Sequence, residues 1–253
     1  MQRILDYRAK SAKNYFRGKG VEFGALHNPL IVDRTKAQIF YADKYSKADL
    51  LNNFPELQLL AKSIVETDIF LDLNEDNLQS LQEYNFDFFI ANHVIEHLIN
   101  PLQFLENVSQ VMRLGSYLYL AVPDKDYTFD RLRELTTWEH LYDEYTNQID
   151  ELSEAHLADF IVNITKDHIT DLTRRKNLYD AYYDPRQRTA VLEKHRQRSI
   201  HVHVWNQRSF DLFLKKAIAE LKLNLKVVYK IKSRSSKHEM IYVLQKKYGK
   251  NNL

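Results

Sequence analysis

Residues 86–124, FDFFIANHVIEHLINPLQFLENVSQVMRLGSYLYLAVPD, read as a buried strand, a polar crest, a capped helix and a second buried strand. That unit leaves the chain few folds to choose from. Phe88-Phe89-Ile90-Ala91 is an uninterrupted apolar run, the pattern of a strand covered on both faces. It ends in Asn92-His93, so polar groups appear where a central strand leaves its sheet. Asn100 is placed to cap a helix whose first position is Pro101. Leu102, Leu105, Val108 and Met112 keep helical spacing, and Gly115 stops the helix. Leu118-Tyr119-Leu120-Ala121-Val122 is the second buried strand, closed by Pro123-Asp124. A right-handed crossover makes the two strands parallel, so their carboxyl ends share one rim. Ligands bind at that rim in open α/β sheets.

The remaining segments extend the same pattern. A leading helix over 3–16, packed by Ile4, Leu5, Tyr7 and Phe16, precedes a strand at 20–24. A second strand, 38–42, ends at Asp43, and Ser46 caps a helix to about Phe54. A third strand is predicted over 63–67, with a helix near 75–82. From 131 to 199 the text is helical and charged, with Trp138, Leu141, Tyr145, Leu157, Phe160, Ile161 and Ile164 as apolar positions. Ser209 is expected to cap a helix over 209–221, and 225–230 and 240–244 alternate as strands around the polar turn 233–238.

A chain of 253 residues that is 44% hydrophobic has enough apolar side chain for a real core. Its 36 basic and 34 acidic residues give a net charge of +2, no global signature of nucleic-acid binding. There are no cysteines, which excludes disulfides and thiolate-held metals. The basic, amphipathic start MQRILDYRAKSAKNYFRG is neither a secretion signal nor a membrane span, so a cytoplasmic location is expected.

The 86–124 segment also resembles the stretch from the fourth to the fifth strand of class I S-adenosylmethionine-dependent methyltransferases. It is similar to the small-molecule, type 11-like branch, whose E-H-x-x-x-P is present as Glu96-His97-Leu98-Ile99-Asn100-Pro101. The family's L-x-P-G-G is weakened to Arg113-Leu114-Gly115-Ser116. Pro123-Asp124-Lys125-Asp126-Tyr127-Thr128-Phe129-Asp130 is similar to a subgroup associated with cell-surface polysaccharide synthesis. The resemblance implies an α/β, Rossmann-like sheet, mostly parallel with the last strand antiparallel, and a helical insertion after strand five. Residues 1–130 would then be the cofactor-binding half, 131–199 a substrate lid, and 200–253 the remainder of the sheet. It implies S-adenosylmethionine as cofactor and a small-molecule acceptor, a sugar or nucleotide sugar, methylated on oxygen. No nucleic-acid partner is expected.

Of the glycines usual in the first loop, Val21-Glu22-Phe23-Gly24-Ala25-Leu26-His27-Asn28-Pro29 keeps only Gly24. A pyrophosphate needs close approach to backbone amides, so this loss counts against a dinucleotide more than against S-adenosylmethionine, which has no phosphate. Asp43, nineteen residues beyond Gly24, is suited to both ribose hydroxyls. Glu22 is expected to face the cofactor's ammonium, Asp72 and Leu73 the adenine, and Asn92 the methionine moiety. Gly24 and strand two are too close in sequence for the family's full first helix.

For catalysis the candidates are Asp124, directly after strand five, and His201 and His203, which alternate onto one face of an extended segment. His97 is a reserve. No metal is expected; a divalent cation on Asp124 and the histidines is the subordinate alternative. Arg174, Arg175, Lys176, Arg186, Arg188, Arg196 and Arg198 form either a solvated face or a phosphate-docking surface. Tyr179, Tyr182 and Tyr183 stack on sugars or simply pack. The rival functional reading is an inactive methyltransferase-like scaffold in glycan assembly, favoured by the poor glycine loop. A methyltransferase acting on nitrogen, protein or RNA is a further one.

Overall fold

A computed structural model describes residues 2–163, 172–236 and 238–247. Its strands are β1 (Gly18–Phe23), β2 (Ala37–Asp43), β3 (Ile69–Phe70), β4 (Phe88–Asn92), β5 (Tyr117–Pro123), β6 (Leu225–Ile231) and β7 (Glu239–Lys246); helix α1 (Gln2–Tyr15) precedes β1 and α2 (Lys47–Asn53) follows β2. They form one sheet in the order β3-β2-β1-β4-β5-β7-β6. The pairs from β3 to β5 are parallel, and β7 runs antiparallel to both β5 and β6. This is the predicted mixed sheet with its last strand reversed.

Every residue of β4 is buried, as its apolar run requires. Side-chain alternation divides the core between the two faces. Phe89, Ala91, Leu118 and Leu120 pack on one face with Leu102, Leu105 and Val108 of α3 (Pro101–Val111) and Phe210 and Leu214 of α8 (Gln207–Glu220). Phe88, Ile90, Tyr119 and Ala121 pack on the other, where Phe16 stacks on Phe88 with ring centroids 4.8 Å apart. α3 starts as its sequence says: Asn100 Oδ1 accepts from Gln103 N at 2.9 Å, with Pro101 in the first turn.

Three local expectations are corrected. Residues 63–67 do not join the sheet; Val65 N donates instead to Leu26 O at 3.0 Å, and β2 pairs with Ile69 and Phe70. The helix expected near 75–82 is a 3-10 turn at Gln79–Tyr84. Its approach is rich in Asp and Asn that bond nearby backbone: Asp76 Oδ2 accepts from Asp72 N at 2.6 Å and Asn77 Oδ1 from Gln79 N at 3.1 Å. Such bonds compete with helix. Ser209 is not the cap of α8. Asn206 caps it, and Ser209 stands three residues on as the reciprocal member of a capping box, each bond 3.0 Å.

Among the described residues no helix joins β1 to β2, in keeping with the short chain there. The insertion after β5 contains α4 (Trp138–Thr146), α5 (Glu154–Asn163), α6 (Leu172–Tyr183) and α7 (Arg188–Arg196). The side chains of Ile4, Leu5, Ile164, Arg174 and Arg175 lie outside the described residues. No helix of the described residues is long and apolar enough to cross a membrane.

Candidate active site

A cavity of about 1010 Å³ opens where β1, β2 and β4 end, and the insertion closes its far side. Gly24, Asp43, Asp72 and Leu73 line it from the sheet, and Leu152 and Arg198 from the insertion. Tyr45, Leu50, Phe54 and Leu71 add an apolar wall suited to a heteroaromatic ring. Asp43 is tethered by Tyr45 N, which donates to Oδ1 at 3.0 Å; burial pushes its carboxyl up from the usual range. Asp72 pairs with Lys44 at 2.9 Å and caps its own turn through Asn74 N at 3.0 Å. Gly24 has φ +58°, a conformation that favours glycine, and a Cβ there would meet only Val94 Cγ2 at 3.4 Å. The wall beside it is therefore open. Asn92, at the end of β4, holds a buried Oδ1 with no hydrogen-bond partner, but it lines neither this cavity nor the smaller one described below. Two rim carboxylates, an apolar slot and an open loop fit a nucleoside.

Glu22 sits elsewhere. It alternates with Val21 and Phe23, which pack in the core on one face. Its carboxylate accepts from Leu30 N at 3.0 Å on both oxygens, and Leu30 belongs to the core on the other face. Glu22 thus clasps the β1–β2 loop from the side away from the cavity, whose lining does not include it. Burial pushes its carboxyl up to about 8 despite the Leu30 amide and Arg8.

A second cavity, of about 430 Å³, lies beyond the ends of β4 and β5. His93, Tyr127, Thr128, Phe129, His201 and His238 are among its walls. His93 lines both cavities. Its backbone is in the left-handed region, φ +56°, an unfavourable setting for a residue with a Cβ. His93 Nε2 lies 2.7 Å from Glu239 Oε2, and Arg8 grips the same carboxylate through Nε at 2.8 Å and Nη2 at 2.5 Å. Burial raises the Glu239 carboxyl, but Arg8 and His93 outweigh it and hold it at about 2.

His201 Nδ1 is 2.6 Å from Asp130 Oδ2. Arg133 donates to Asp130 Oδ1 at 2.9 Å, to His201 O at 2.8 Å and, through Nε, to Asp159 at 2.8 Å. Burial opposes ionisation of Asp130, but His201 and Arg133 prevail and lower its carboxyl below the usual range. An ionised Asp130 can only accept, so Nδ1 carries the proton and Nε2 keeps the basic lone pair.

Asp124 and His203 are engaged differently. Asp124 Oδ2 accepts from Gln207 N at 3.1 Å and Ser233 Oγ at 2.5 Å, and Oδ1 from Asp126 N at 3.0 Å. It ties the end of β5 to the start of α8 and to α9 (Ser233–Ser236). His203 is buried, with Nε2 3.0 Å from Ile99 O, and burial lowers it to about 4. His97 Nδ1 is 2.8 Å from Ile200 O, and burial lowers it to about 3. Glu96 is fully buried between His93 and His97, and both its oxygens lack a hydrogen-bond partner; burial raises its carboxyl. Several cationic candidates are already engaged: Arg186 with Asp184, Arg188 with Glu154, and Arg198 with Glu56. Tyr179 and Tyr183 are an exposed pair with centroids 4.7 Å apart, whereas Tyr182 is buried. His93 and Asp130 stand in the sequence motifs without an assigned role, and nothing in the sequence marks His238 or Glu239. The pattern of polar residues flanking strand ends was the available signal, but it does not say which ends converge.

A family model described as a methyltransferase domain matches residues 18–217. No curated protein matches the chain. Among solved structures, it is similar to a Rhodobacter sphaeroides protein assigned as a Zn-dependent alcohol dehydrogenase, at 13% identity. That match covers 98% of this chain and 91% of the other with a TM-score of 0.52, a likeness of fold alone. It is also similar to an S-adenosylmethionine-dependent methyltransferase from Clostridium acetobutylicum ATCC 824 (9% identity, 98% and 92% covered, TM-score 0.49). A third is a SAM-dependent methyltransferase from Aquifex aeolicus (12% identity, 97% and 88% covered, TM-score 0.42).

Proposed function

This chain belongs to the methyltransferase-domain family and is an enzyme that uses S-adenosylmethionine, and from there we propose that it O-methylates a saccharide or related small polar metabolite of the cytoplasm. When bound, the cofactor supplies a methyl group on a positively charged sulfur. In this reading Asp43 takes the ribose hydroxyls, Leu73 and Asp72 flank the adenine, and Asn92 meets the methionine end. Residues 131–199 act as the lid that keeps water from the larger cavity.

The acceptor occupies the smaller cavity. Its mixture of imidazoles, hydroxyls and the rings of Tyr127 and Phe129 suits a hydroxyl-rich ring, which offers polar edges and apolar faces. The observation that carries the proposal is the His201–Asp130 contact of 2.6 Å on that cavity's wall. Asp130 holds the Nδ1 proton, Arg133 holds Asp130, and His201 Nε2 removes the proton of the attacking hydroxyl. A positioned base contributes about 10²–10⁴-fold, and alignment of the reactants supplies the larger part of the acceleration. Asp124, given a catalytic part by its place in sequence, is assigned here to bracing the rim.

The test is a screen of free sugars and nucleotide sugars with S-adenosylmethionine, read by S-adenosylhomocysteine formation and the mass of the product. Methylation of a sugar hydroxyl is expected. Turnover confined to RNA, protein or amine acceptors would overturn the substrate assignment while leaving the cofactor site intact.

A further inference from the structure

Away from both cavities, three histidines and a glutamate converge from separate elements. His140 and Glu144 stand one turn apart on α4, His156 comes from α5, and His203 from the segment 200–204 that returns the chain to the sheet. One potential ligand atom from each lies within 4.8 Å of all the others. His140 Nε2 and His156 Nε2 are 3.0 Å apart, and each is 3.2 Å from Glu144 Oε1. Around a tetrahedral zinc with bonds of about 2.0–2.1 Å, neighbouring ligand atoms lie about 3.3 Å apart. The triangle needs little expansion to hold such an ion.

From this geometry we propose that His140, Glu144, His156 and His203 form a structural site for a divalent transition metal, zinc in the first instance. The ligand chemistry agrees: imidazole and carboxylate suit zinc, and four protein ligands make a closed, structural site. The far nitrogens are also held. His203 Nε2 lies 3.0 Å from the Ile99 carbonyl, which can only accept, and 3.6 Å from Glu144 Oε2; Nδ1, which then carries the lone pair, is buried with no hydrogen-bond partner. His156 Nδ1 lies 2.9 Å from Ser153 Oγ. Metal-bound histidines are fixed in this manner through their other nitrogen. A hydrogen-bonded cluster accounts for the triangle, but it leaves His203 Nδ1 buried with no partner and Glu144 Oε2 with no hydrogen bond, only His203 Nε2 at 3.6 Å.

The exposed side of His140 supplies an entry path. Two other histidine–carboxylate groups are weaker candidates. Glu239 is already neutralised by Arg8 in the first, and His201 is committed to Asp130 in the second. A metal here would staple α4 and α5 to the segment that carries His201, and Ile99, which accepts from His203, lines the larger cavity.

The experiment uses tag-free, full-length protein, stripped with a chelator and titrated with Zn²⁺ by calorimetry. Co²⁺ serves as a spectroscopic probe of tetrahedral nitrogen–oxygen ligation. One equivalent bound with a rise in melting temperature is expected, with affinity at least about 10-fold lower in His140→Ala and Glu144→Gln. His140 is exposed, so its removal leaves the core intact, and circular dichroism verifies the fold of each variant. Absence of binding by folded wild-type protein overturns the proposal. So does binding that survives both substitutions and is lost in His238→Ala, which would move the metal to the smaller cavity.

Discussion

The 2.6 Å contact between His201 Nδ1 and Asp130 Oδ2 fixes which atom of that imidazole is available as a base. Replacing His201 by Ala should therefore lower turnover by about 10²–10⁴-fold with cofactor affinity retained. Asp130→Asn should also lower turnover, because an amide can donate to Nδ1 and favour the other tautomer. Kinetics and calorimetry on the same preparations check this, and unchanged turnover in His201→Ala would remove His201 from the mechanism. Asp43 is the corresponding test of the cofactor site. Asp43→Ala should weaken S-adenosylmethionine binding by about 1.5–3 kcal/mol, the worth of hydrogen bonds to a charged group. Equal affinity in variant and wild type would displace the ribose from Asp43. Sequence reached these two residues by different routes. Asp43 follows a strand and stands at a recognisable distance from Gly24, so its place is legible locally. Asp130 and His201 are 71 residues apart, and only the folded insertion brings them together.

At the scale of elements, Asp124 joins three pieces of structure. Its bonds to Gln207 N and Ser233 Oγ hold the first turn of α8 and the α9 turn against the end of β5. Asp124→Asn keeps the shape but turns one acceptor into a donor facing those groups, so a loss of about 1–3 kcal/mol in urea unfolding is expected. If stability is unchanged while turnover collapses, Asp124 acts in chemistry rather than as a brace. The elements the sequence reveals are those whose causes are local. β4 and β5 are continuous apolar runs, and α3 carries its own cap and proline. β3 was misplaced because an edge strand of two residues is chosen by its neighbour: Asp68 Oδ2 accepts from Tyr41 N at 2.8 Å, and Ala42 and Asp43 then pair with Ile69 and Phe70. Glu22 is a related case. Its place in the first motif pointed to the cofactor, but the parity of β1, with Val21 and Phe23 facing one core, turns it to the other side.

For the molecule as a whole, Glu22 and Glu239 make opposite demands on pH. Glu239 is held at about 2 in the folded protein against an ordinary value of 4.5, so its contribution is present above pH 4.5 and is lost as pH falls towards 2. Glu22 is raised to about 8 from 4.5, so its contribution is complete below pH 4.5 and is lost as pH rises through 8. At pH 7 the buried carboxyl is mostly protonated when folded and ionised when unfolded, a difference of roughly 2–4 kcal/mol relative to pH 4.5. Glu22→Gln retains an oxygen for Leu30 N and cannot titrate. Wild-type stability should therefore decline relative to this variant between pH 5 and 8, measured by urea unfolding at several pH values. Parallel curves would mean that Glu22 is not the buried, proton-binding clasp described above. Cofactor titration of the same variant separates the two parts offered for this residue. Affinity equal to wild type places Glu22 in the loop alone, whereas a clear loss would return it to the ammonium of S-adenosylmethionine and require β1 to twist its end towards the cavity.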